Sequence, residues 1–561
     1  MIDTSVRIIY SDIPDPSVIR VGENYYMTST TMYFTPGCPI MKSRDLVNWE
    51  IIGYVYDVLN DNDHMNLQNN KHDYGRGSWA SCLRYHNGIF YCSFVAYNTG
   101  ETYIFQTEDI EKGEWRKYVI DGIYHDMSIL FDDGRVFMVY GAGAIKVVEL
   151  TADATAIKPD GLNKTIIENA DPTGGTGLAE GSHIYKLNGF YYIFIIAWPK
   201  TGNRRRIQVC YRANQIDGVY ENKIILDDTL GFQNAGVAQG GIFDTHCRKN
   251  HAKNRHDGDS KRTLTNEWFA MLFQDHGAVG RVPVIVPVRW EDDWPVVSVG
   301  QMQTTPAKNF LPVCGIVKSD EFEKPTLALQ WQWNHNPVNT LWSLTEREGW
   351  LRLKASRAGS LSDARNTLTQ RTFGETCSGC VKIDVSQMQN GDFAGLAALQ
   401  DQYAFVGVKM ADNKKHIVMC AAPETKDDGV EGMQTYKAGI PEVEMEAVLL
   451  VQDDEIETRS LAKNIDQQGG VVEFADRTVE GAQQAHPHNL YLRVDFNFAD
   501  ATDEADFYFS LCGDEWTKIG ARLKMSYRLS HFTGYRFALF NFATKEAGGY
   551  VDFDWFRVSS N

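Results

Sequence analysis

The chain has 561 residues, of which 43% are hydrophobic, and a formal net charge of −18. This length exceeds what one hydrophobic core supports, so the sequence predicts two large domains. The negative charge disfavours nucleic acid and anionic membranes as partners and favours a neutral substrate. Thirteen Trp, 26 Tyr and 28 Phe residues, with many Gly-centred turns, predict β-strands.

The N-terminus MIDTSVRIIYSD has no basic stretch followed by an apolar run, and no later segment approaches the roughly 18 apolar residues of a membrane span. We therefore expect a soluble, cytoplasmic protein; a secreted protein whose signal peptide had been removed would look the same. The one close cysteine pair, Cys377-Ser-Gly-Cys380, has no second C-x-x-C to complete a zinc site and is predicted to pack within a strand.

The first element follows the stretch SDIPDPSVIRV, in which Asp15 lies between Pro14 and Pro16. Proline disfavours helical backbone at the residue before it, so Asp15 is predicted to be extended and to point in one direction. On these residues alone, an ordinary turn that enters a strand explains the pattern.

The same pattern recurs along the first half of the chain. The segments DPSVIRV, WASCLRY, DMSILFD, EGSHIYK and QGGIFDT begin at residues 15, 79, 126, 180 and 239, so they lie 47 to 64 residues apart. Each has Ser or Gly at its third position, an apolar residue at its fifth, and an aromatic-rich second strand after a turn. This spacing is close to that of four-stranded blades and predicts a five-bladed β-propeller.

The first residues of the five segments are predicted to face one cavity, because the first strand of each propeller blade lines the central channel. They are Asp15, Trp79, Asp126, Glu180 and Gln239. Three converging carboxylates are costly to desolvate, which favours a functional site over solvated acids at loop ends.

Three carboxylates and a Trp favour glycoside hydrolysis over other reactions. One acid protonates the leaving oxygen, and a second carboxylate activates water or attacks directly. A third acid nearby can raise the pKa of the proton donor and keep it protonated near neutral pH.

The sequence resembles glycoside hydrolase family 43. The stretches that carry the resemblance are PDPSVIRVGENYYM, HDMSILFDDGRVFMVYG, AEGSHIYKLNGFYYIF and FQDHGAVGRVPVIVPVRWEDDWPV, in this order. Near the C-terminus, FALFNFATKEAGGYVDFDWFRVS resembles the end of the β-sandwich that follows the propeller in many xylosidases and arabinofuranosidases of the family.

The resemblance implies a role for each carboxylate. Asp15 is expected to be the general base, Glu180 the general acid, and Asp126 the residue that raises the pKa of Glu180 and orients it. The implied mechanism inverts the anomeric centre, which requires about 6.5–9.5 Å between base and acid. Met127 stands where the family often has Pro, and we expect no loss of chemistry from it.

The resemblance also implies substrate-binding and metal-binding residues. Arg281 resembles the substrate arginine, and a structural ion pair is its alternative. Trp79 and Gln239 are expected in the sugar subsite, with simple channel packing as the alternative. No cofactor is required for the chemistry. His276 resembles the histidine that faces the channel and binds calcium through water, although Ca²⁺ prefers oxygen ligands.

The predicted fold is all-β throughout. Residues 1–300 are expected to form the catalytic propeller, 301–325 a linker, and 326–561 a jelly-roll-like β-sandwich. Taken alone, the sandwich fits a carbohydrate-binding module, whereas the resemblance implies that it packs on the propeller and can wall off the active site. The polar stretch 245–259 is predicted to be a solvated insertion, and Arg204-Arg205-Arg206 a surface edge.

The predicted function is that of an inverting exo-glycoside hydrolase that releases xylose from β-1,4-xylooligosaccharides, arabinose from α-L-arabinofuranosides, or both. The alternatives are an endo-arabinanase with an open cleft and a non-catalytic carbohydrate-binding propeller. The expected partner is a xylo- or arabino-oligosaccharide, and neither nucleic acid nor a membrane is expected. The sequence leaves open the preferred sugar, the need for calcium and the oligomeric state.

Overall fold

The computed structural model describes residues 6–245, 267–297, 310–422, 443–450, 464–465, 471–472 and 489–560. Within these ranges, helical structure is limited to four 3-10 helices, at Gly277–Val279, Asn339–Leu341, Leu361–Asp363 and Ala499–Ala501. None of the described helices has the length and apolar character needed to cross a membrane. The predicted insertion at 245–259 lies, apart from its first residue, outside the described residues.

Apart from β4, the strands of the first half form five antiparallel sheets that are arranged as the blades of a propeller. They are β1 (Arg7–Ile8), β2 (Ser17–Val21), β3 (Asn24–Thr28), β4 (Phe34–Thr35), β5 (Gly37–Ser43), β6 (Glu50–Tyr56), β7 (Cys82–His86), β8 (Ile89–Ala96), β9 (Glu101–Thr107), β10 (Arg116–Asp121), β11 (Ser128–Asp132), β12 (Arg135–Tyr140), β13 (Ile145–Leu150), β14 (Asn163–Ile167), β15 (Leu178–Leu187), β16 (Phe190–Trp198), β17 (Ile207–Ala213), β18 (Glu221–Leu226), β19 (Ala238–Thr245), β20 (Glu267–Asp275), β21 (Arg281–Glu291) and β22 (Trp294–Val297).

Four of the five blades are four-stranded sheets. The first blade has the order β2-β3-β5-β6, and the next three consist of β7 to β10, β11 to β14 and β15 to β18. The fifth blade has the order β19-β20-β21-β1, with β22 paired to β21. Its fourth strand comes from the N-terminus, where Arg7 pairs with Ile285, so the ring is closed by strand pairing. The predicted five-bladed propeller is confirmed.

Two of the serines at the third position of the repeat link neighbouring blades. Ser17 Oγ accepts a hydrogen bond from the backbone N–H of Leu83, at 3.0 Å. Ser128 Oγ accepts one from the N–H of Ile184, at 2.8 Å. In both cases the third position of one segment pairs with the fifth position of the next, which gives a physical reason for the repeat.

The backbone at the leading residues differs from the prediction. Asp15 has a φ of 51°, in the left-handed region, so the expectation that Pro16 holds it extended is wrong. Asp126 and Gln239 share this conformation, with φ of 47° and 59°, and Gly181 follows Glu180 with a φ of 73°. Non-glycine residues adopt this region at a cost, and such residues cluster at functional sites.

The strands of the second half form a β-sandwich. They are β23 (Gln332–Asn334), β24 (Trp342–Ser343), β25 (Leu351–Lys354), β26 (Ser356–Arg357), β27 (Leu368–Arg371), β28 (Thr376–Asp384), β29 (Asp392–Leu399), β30 (Ala404–Ala411), β31 (Lys414–Ala421), β32 (Val443–Leu450), β33 (Asn464–Ile465), β34 (Val471–Val472), β35 (Asn489–Asn497), β36 (Glu504–Ser510), β37 (Thr517–Lys518), β38 (Leu523–Lys524), β39 (Arg536–Ala543) and β40 (Tyr550–Ser559).

Two large sheets of the sandwich enclose one apolar core. The first has the order β32-β31-β30-β29-β39-β27-β23-β4 with β26 beside β39, and the second has the order β24-β25-β40-β28-β35-β36-β37 with β38 beside β36. Leu396 and Val406 of the first sheet and Val381 and Val494 of the second belong to the same buried cluster. Alternation along β35, in which every second residue is buried, fits a strand with one face in this core. The predicted sandwich is confirmed.

The two halves share a sheet. Strand β4 comes from the first blade but pairs with β23 of the sandwich, with Thr35 opposite Trp333. Arg371, which is fully buried, donates from Nε to the carbonyl of Asp12 at 2.9 Å. Backbone pairing and buried side-chain contacts therefore fix the sandwich relative to the mouth of the propeller.

Candidate active site

Asp15 lies in the loop between β1 and β2, and only 4% of it is exposed. Its Oδ2 accepts a hydrogen bond from Thr30 Oγ1 at 2.6 Å, and its Oδ1 lies 3.1 Å from Arg281 Nη1. The backbone N–H of Thr30 also bonds the carbonyl of Pro14, at 3.1 Å. These contacts together hold the carboxylate in one position.

Glu180 lies on β15 of the fourth blade, with a quarter of its side chain exposed. The pairing of β15 with β16 shifts between Glu180 and His183, which marks a β-bulge directly after Glu180. Bulges re-aim side chains next to active sites. Glu180 Oε2 lies 2.9 Å from His125 Nε2.

His125 joins the two acids of the third and fourth blades. Its Nε2 lies 3.7 Å from Asp126 Oδ2 as well as 2.9 Å from Glu180, and its Nδ1 lies 2.7 Å from Tyr97 Oη. Burial alone would lower the pKa of His125, but the carboxylates of Asp126 and Glu180 outweigh it and raise the pKa to about 9. Burial raises the pKa of Asp126, and the charges of Glu180 and Asp15 add to this effect. This side of the site therefore retains protons near neutral pH.

Arg281 begins β21 and is buried between Asp15 and nearby aromatic side chains. Its Nε lies 3.6 Å from Asp275 Oδ1, and its guanidinium carbon lies 4.8 Å from the centroid of the Phe273 ring. The predicted alternative of an ion pair and the contact with the base are thus both present. A guanidinium with several donors beside Asp15 can also bind sugar hydroxyls.

A loop of the sandwich, residues 525–534, reaches this site. Phe532 stacks on Trp79 with ring centroids 5.2 Å apart, and the Arg281 guanidinium lies 4.6 Å from its ring. Tyr527 points its hydroxyl into a buried position where no described group bonds it. The sandwich therefore supplies one wall of the pocket, as the resemblance implied.

Asp12 holds this loop and the site together. One of its oxygens accepts from the N–H of Arg281 at 2.9 Å, and the other from the N–H of Gly534 at 2.8 Å. A Cβ on Gly534 would lie 2.1 Å from the Val279 carbonyl, so the loop can approach this closely only with glycine. A single buried carboxylate thus connects the base loop, the Arg281 strand and the sandwich.

Trp79 and Gln239 lie next to the acids. The ring centroids of Trp79 and His125 are 5.8 Å apart, and the indole Nε1 is buried without a hydrogen-bond partner among the described residues. Gln239 lies against the backbone beside Glu180, since a Cβ on Gly181 would come within 3.0 Å of Gln239 Cδ. Their roles in sugar binding stay predictions.

Both ring nitrogens of His276 lie near protein side chains. Gln274 Nε2 donates to the carbonyls of Thr229 and Ala235, so its Oε1 is left to accept from His276 Nε2, at 2.9 Å. His276 Nδ1 lies 3.3 Å from Tyr10 Oη, and its ring stacks on Phe232. Ca²⁺ prefers carboxylate and carbonyl oxygens. Calcium binding stays a prediction.

The residues that sequence reasoning missed are His125, Asp275, Asp12, Phe532 and Arg206. Arg206 was predicted to lie on a surface edge, but only 16% of its side chain is exposed. It forms an ion pair with Asp275, and burial together with the charge of Arg281 lowers its pKa to about 10. Its place next to Arg281 had no signal in the sequence, whereas His125 directly precedes Asp126 in the repeat.

Two carboxylates on non-adjacent blades, one paired with an arginine and the other with a histidine, form the kind of site expected of a glycoside hydrolase. Residues 7–295 match the model of glycosyl hydrolases family 43. Residues 319–452 and 446–559 match the beta xylosidase C-terminal concanavalin A-like domain. The chain belongs to glycosyl hydrolases family 43.

Three curated relatives carry informative names. The chain is 28% identical to a beta-xylosidase of Formosa agariphila, over 98% of this chain and 89% of that protein. It is 33% identical to a putative beta-xylosidase of Xylanibacter ruminicola, over 70% and 71% of the two chains. It is 27% identical to a non-reducing end alpha-L-arabinofuranosidase of Bacteroides ovatus, over 69% and 72%.

Two solved structures extend the likeness over the whole chain. A bifunctional GH43-CE protein of Bacteroides eggerthii is 41% identical, with a TM-score of 0.81 over 99% of this chain. This chain spans only 63% of that protein's length. A GH43 glycoside hydrolase engineered to display both endo-xylanase and exo-arabinofuranosidase activity is 27% identical, with a TM-score of 0.78 over 99% of this chain and 100% of that one.

Proposed function

We propose that the chain is an inverting exo-glycoside hydrolase that releases single pentose residues from chain ends. Its substrates are β-1,4-xylooligosaccharides, α-L-arabinofuranosides, or both. The observation that carries the proposal is the pairing of Asp15 with Arg281 on one side and of Glu180 with His125 on the other, in a pocket walled by Phe532 of the sandwich.

The chemistry assigns one task to each carboxylate. Asp15 accepts a proton from a water molecule, which attacks the anomeric carbon. Glu180 donates a proton to the glycosidic oxygen, and the C–O bond to the leaving sugar breaks. Asp126, buried beside His125, orients the donor side and helps to hold its protons. Arg281 holds Asp15 in place and offers donors to the sugar.

The exo mode is favoured by the sandwich loop. Phe532 stacks on Trp79 and covers Arg281, so a side chain of the second domain stands where an open cleft would continue. A pocket that is closed on one side accepts a chain end more readily than the middle of a polymer. This argument disfavours the endo-arabinanase alternative, and the complete set of acid and base disfavours a non-catalytic propeller.

The names of the relatives support both pentoses, since they include beta-xylosidases and an alpha-L-arabinofuranosidase. Xylopyranose and arabinofuranose can present similar hydroxyl patterns to one pocket. We therefore propose activity on both linkages, with the preference set by how Trp79, Gln239 and Arg281 meet the hydroxyls.

The test is a product profile. The purified chain is incubated with xylo-oligosaccharides, arabino-oligosaccharides and arabinosylated xylan fragments, and the products are separated by chromatography. We expect pentose monomers as the first products of the wild type. Asp15→Ala and Glu180→Ala are expected to release none. Intermediate-length products from a long arabinan, or near-wild-type turnover in either variant on a natural oligosaccharide, would contradict the proposal.

A further inference from the structure

Two large apolar side chains are exposed on the strands that carry the proposed acid. Leu178 is 48% exposed and Trp198 is 46% exposed, and they pair directly across β15 and β16. Glu180 pairs with Ile196 two residues further along the same strands. Because side chains two apart in a strand point to one face, Leu178 and Trp198 lie on the face of Glu180, about 7 Å along the strand.

The indole of Trp198 is held in a fixed position. Its Nε1–H donates to the carbonyl of Arg204 at 2.9 Å, and the guanidinium carbon of Arg206 lies 4.9 Å from the ring centroid. A ring that is fixed before binding loses little conformational freedom when a ligand stacks on it. Nearly half of its surface nevertheless stays open to solvent, unlike that of a ring buried in the core.

A continuous row of contacts connects Trp198 to the proposed base. Arg206 lies 4.9 Å from the Trp198 ring and forms an ion pair with Asp275. Asp275 lies 3.6 Å from Arg281 Nε, and Arg281 contacts Asp15 at 3.1 Å. Trp198 is therefore linked through Arg206, Asp275 and Arg281 to the site that holds Asp15.

We propose that Leu178, Trp198 and Arg206 form a platform for the leaving group, the sugar ring that departs with the protonated oxygen. The inference rests on the proposed function. Glu180 must reach the glycosidic oxygen, so the leaving sugar lies directly beside Glu180. The apolar face of that ring stacks on Trp198 and Leu178, and the guanidinium of Arg206 binds its hydroxyls.

The test compares two leaving groups on the same pentose. The first substrate is β-1,4-xylobiose or α-1,5-L-arabinobiose, in which the leaving group is a sugar ring. The second is the methyl glycoside of the same pentose, in which the leaving group is methanol and no sugar ring departs. Trp198→Ala is expected to lower kcat/KM on the disaccharide about tenfold, the effect of losing one stacking contact, and on the methyl glycoside by less than about twofold. Trp198→Phe keeps a ring and is expected to recover most of the activity on the disaccharide.

Val219→Ala is the matched control, because Val219 is 95% exposed on the outer part of the same blade, and it should match wild type on both substrates. Equal losses on the two substrates, or no loss on the disaccharide in Trp198→Ala, would overturn the platform while leaving the proposed function intact. A wild-type protein that releases no pentose from either substrate would instead contradict the proposed function itself, and the platform with it.

Discussion

The side chains of Asp15 and Glu180 have different partners, and the difference fits the two roles proposed for them. Asp15 is buried against an arginine and a threonine hydroxyl. Glu180 is partly exposed and contacts His125. Against the effect of burial, the carboxylates of Asp126 and Glu180 raise the pKa of His125, and burial raises the pKa of Asp126, whereas Asp15 faces a guanidinium.

The first prediction concerns Glu180. Glu180→Gln is expected to lower kcat on a xylo- or arabino-oligosaccharide by about 100- to 10,000-fold, because a sugar is a poor leaving group without a proton. On an aryl glycoside with an activated phenol, kcat should fall much less, since this leaving group needs little protonation. Equal losses on the two substrates, measured by steady-state kinetics, would contradict the role of Glu180 as the acid.

A second prediction concerns the stability contributed by the His125 proton. The pKa of His125 in the folded protein, about 9, exceeds its ordinary value near 6.5. The contribution is therefore complete below about pH 6.5 and is lost as the pH rises through 9. The melting temperature of wild type should exceed that of His125→Gln by a margin that shrinks over this range. Calorimetry in matched buffers measures the margin, and a margin that stays constant with pH contradicts the prediction.

Among single residues, the sequence predicts those that recur in the five-segment repeat and misses those that do not. Asp15, Asp126 and Glu180 could be predicted because each occupies the same position in a repeat. Asp275 is the last residue of β20 and Arg206 directly precedes β17, and neither position belongs to the five-segment repeat. Phe532 is one of 28 phenylalanines, and only the folded contact with Trp79 distinguishes it.

The blades owe part of their order to two of the serines that follow a leading residue by two positions. Ser17 and Ser128 accept backbone N–H groups of the next blade, whereas Ser81 lies 3.5 Å from the Thr28 hydroxyl, a long contact between two side chains. The sequence shows the repeat but not this function of it, because the pairing joins residues 56 to 66 positions apart.

This difference gives a third prediction. Ser128→Ala leaves the N–H of Ile184 without its acceptor in a buried strand and is expected to lower the free energy of unfolding by about 1–3 kcal/mol. Ser81→Ala, the matched control in the second blade, leaves no backbone group without its acceptor in this way and should cost less. Thermal unfolding of the two variants side by side measures the difference, and equal melting temperatures would contradict the blade-linking role.

The local backbone was the least predictable part of the elements. Pro16 should have kept Asp15 out of helical geometry and in the extended region, but Asp15 lies in the left-handed region instead. Contacts with Thr30 and Arg281, distant in sequence, override the preference of a dipeptide. Such tertiary effects are expected at a site where a carboxylate must point in one direction.

For the whole molecule, the sandwich contributes side chains and backbone groups to the candidate active site. Strand β4 of the propeller joins a sheet of the sandwich, and Asp12 bonds the N–H groups of Arg281 and Gly534. The alternation of strands predicted a second domain. It could not predict which loop of that domain meets the propeller, since no local pattern encodes a contact between distant segments.

The fourth prediction tests this arrangement. Phe532→Ala removes the ring that covers Trp79 and Arg281, so kcat/KM on a pentose disaccharide should fall roughly tenfold or more through lost packing and a wetter pocket. Leu529→Ala is the control, because Leu529 is 56% exposed on the same loop and should change little. Unchanged kcat/KM in Phe532→Ala would show that the sandwich loop does not contribute to the catalytic pocket.

The central claim, hydrolysis from chain ends with inversion, is tested most directly by following the first product with proton NMR. The chain is added at high concentration to xylohexaose, and the anomeric signals are recorded before mutarotation. The account predicts free xylose as the first monosaccharide, in the α-configuration, together with xylopentaose. Xylose released first in the β-configuration, or intermediate oligosaccharides in place of xylose and xylopentaose, would contradict it.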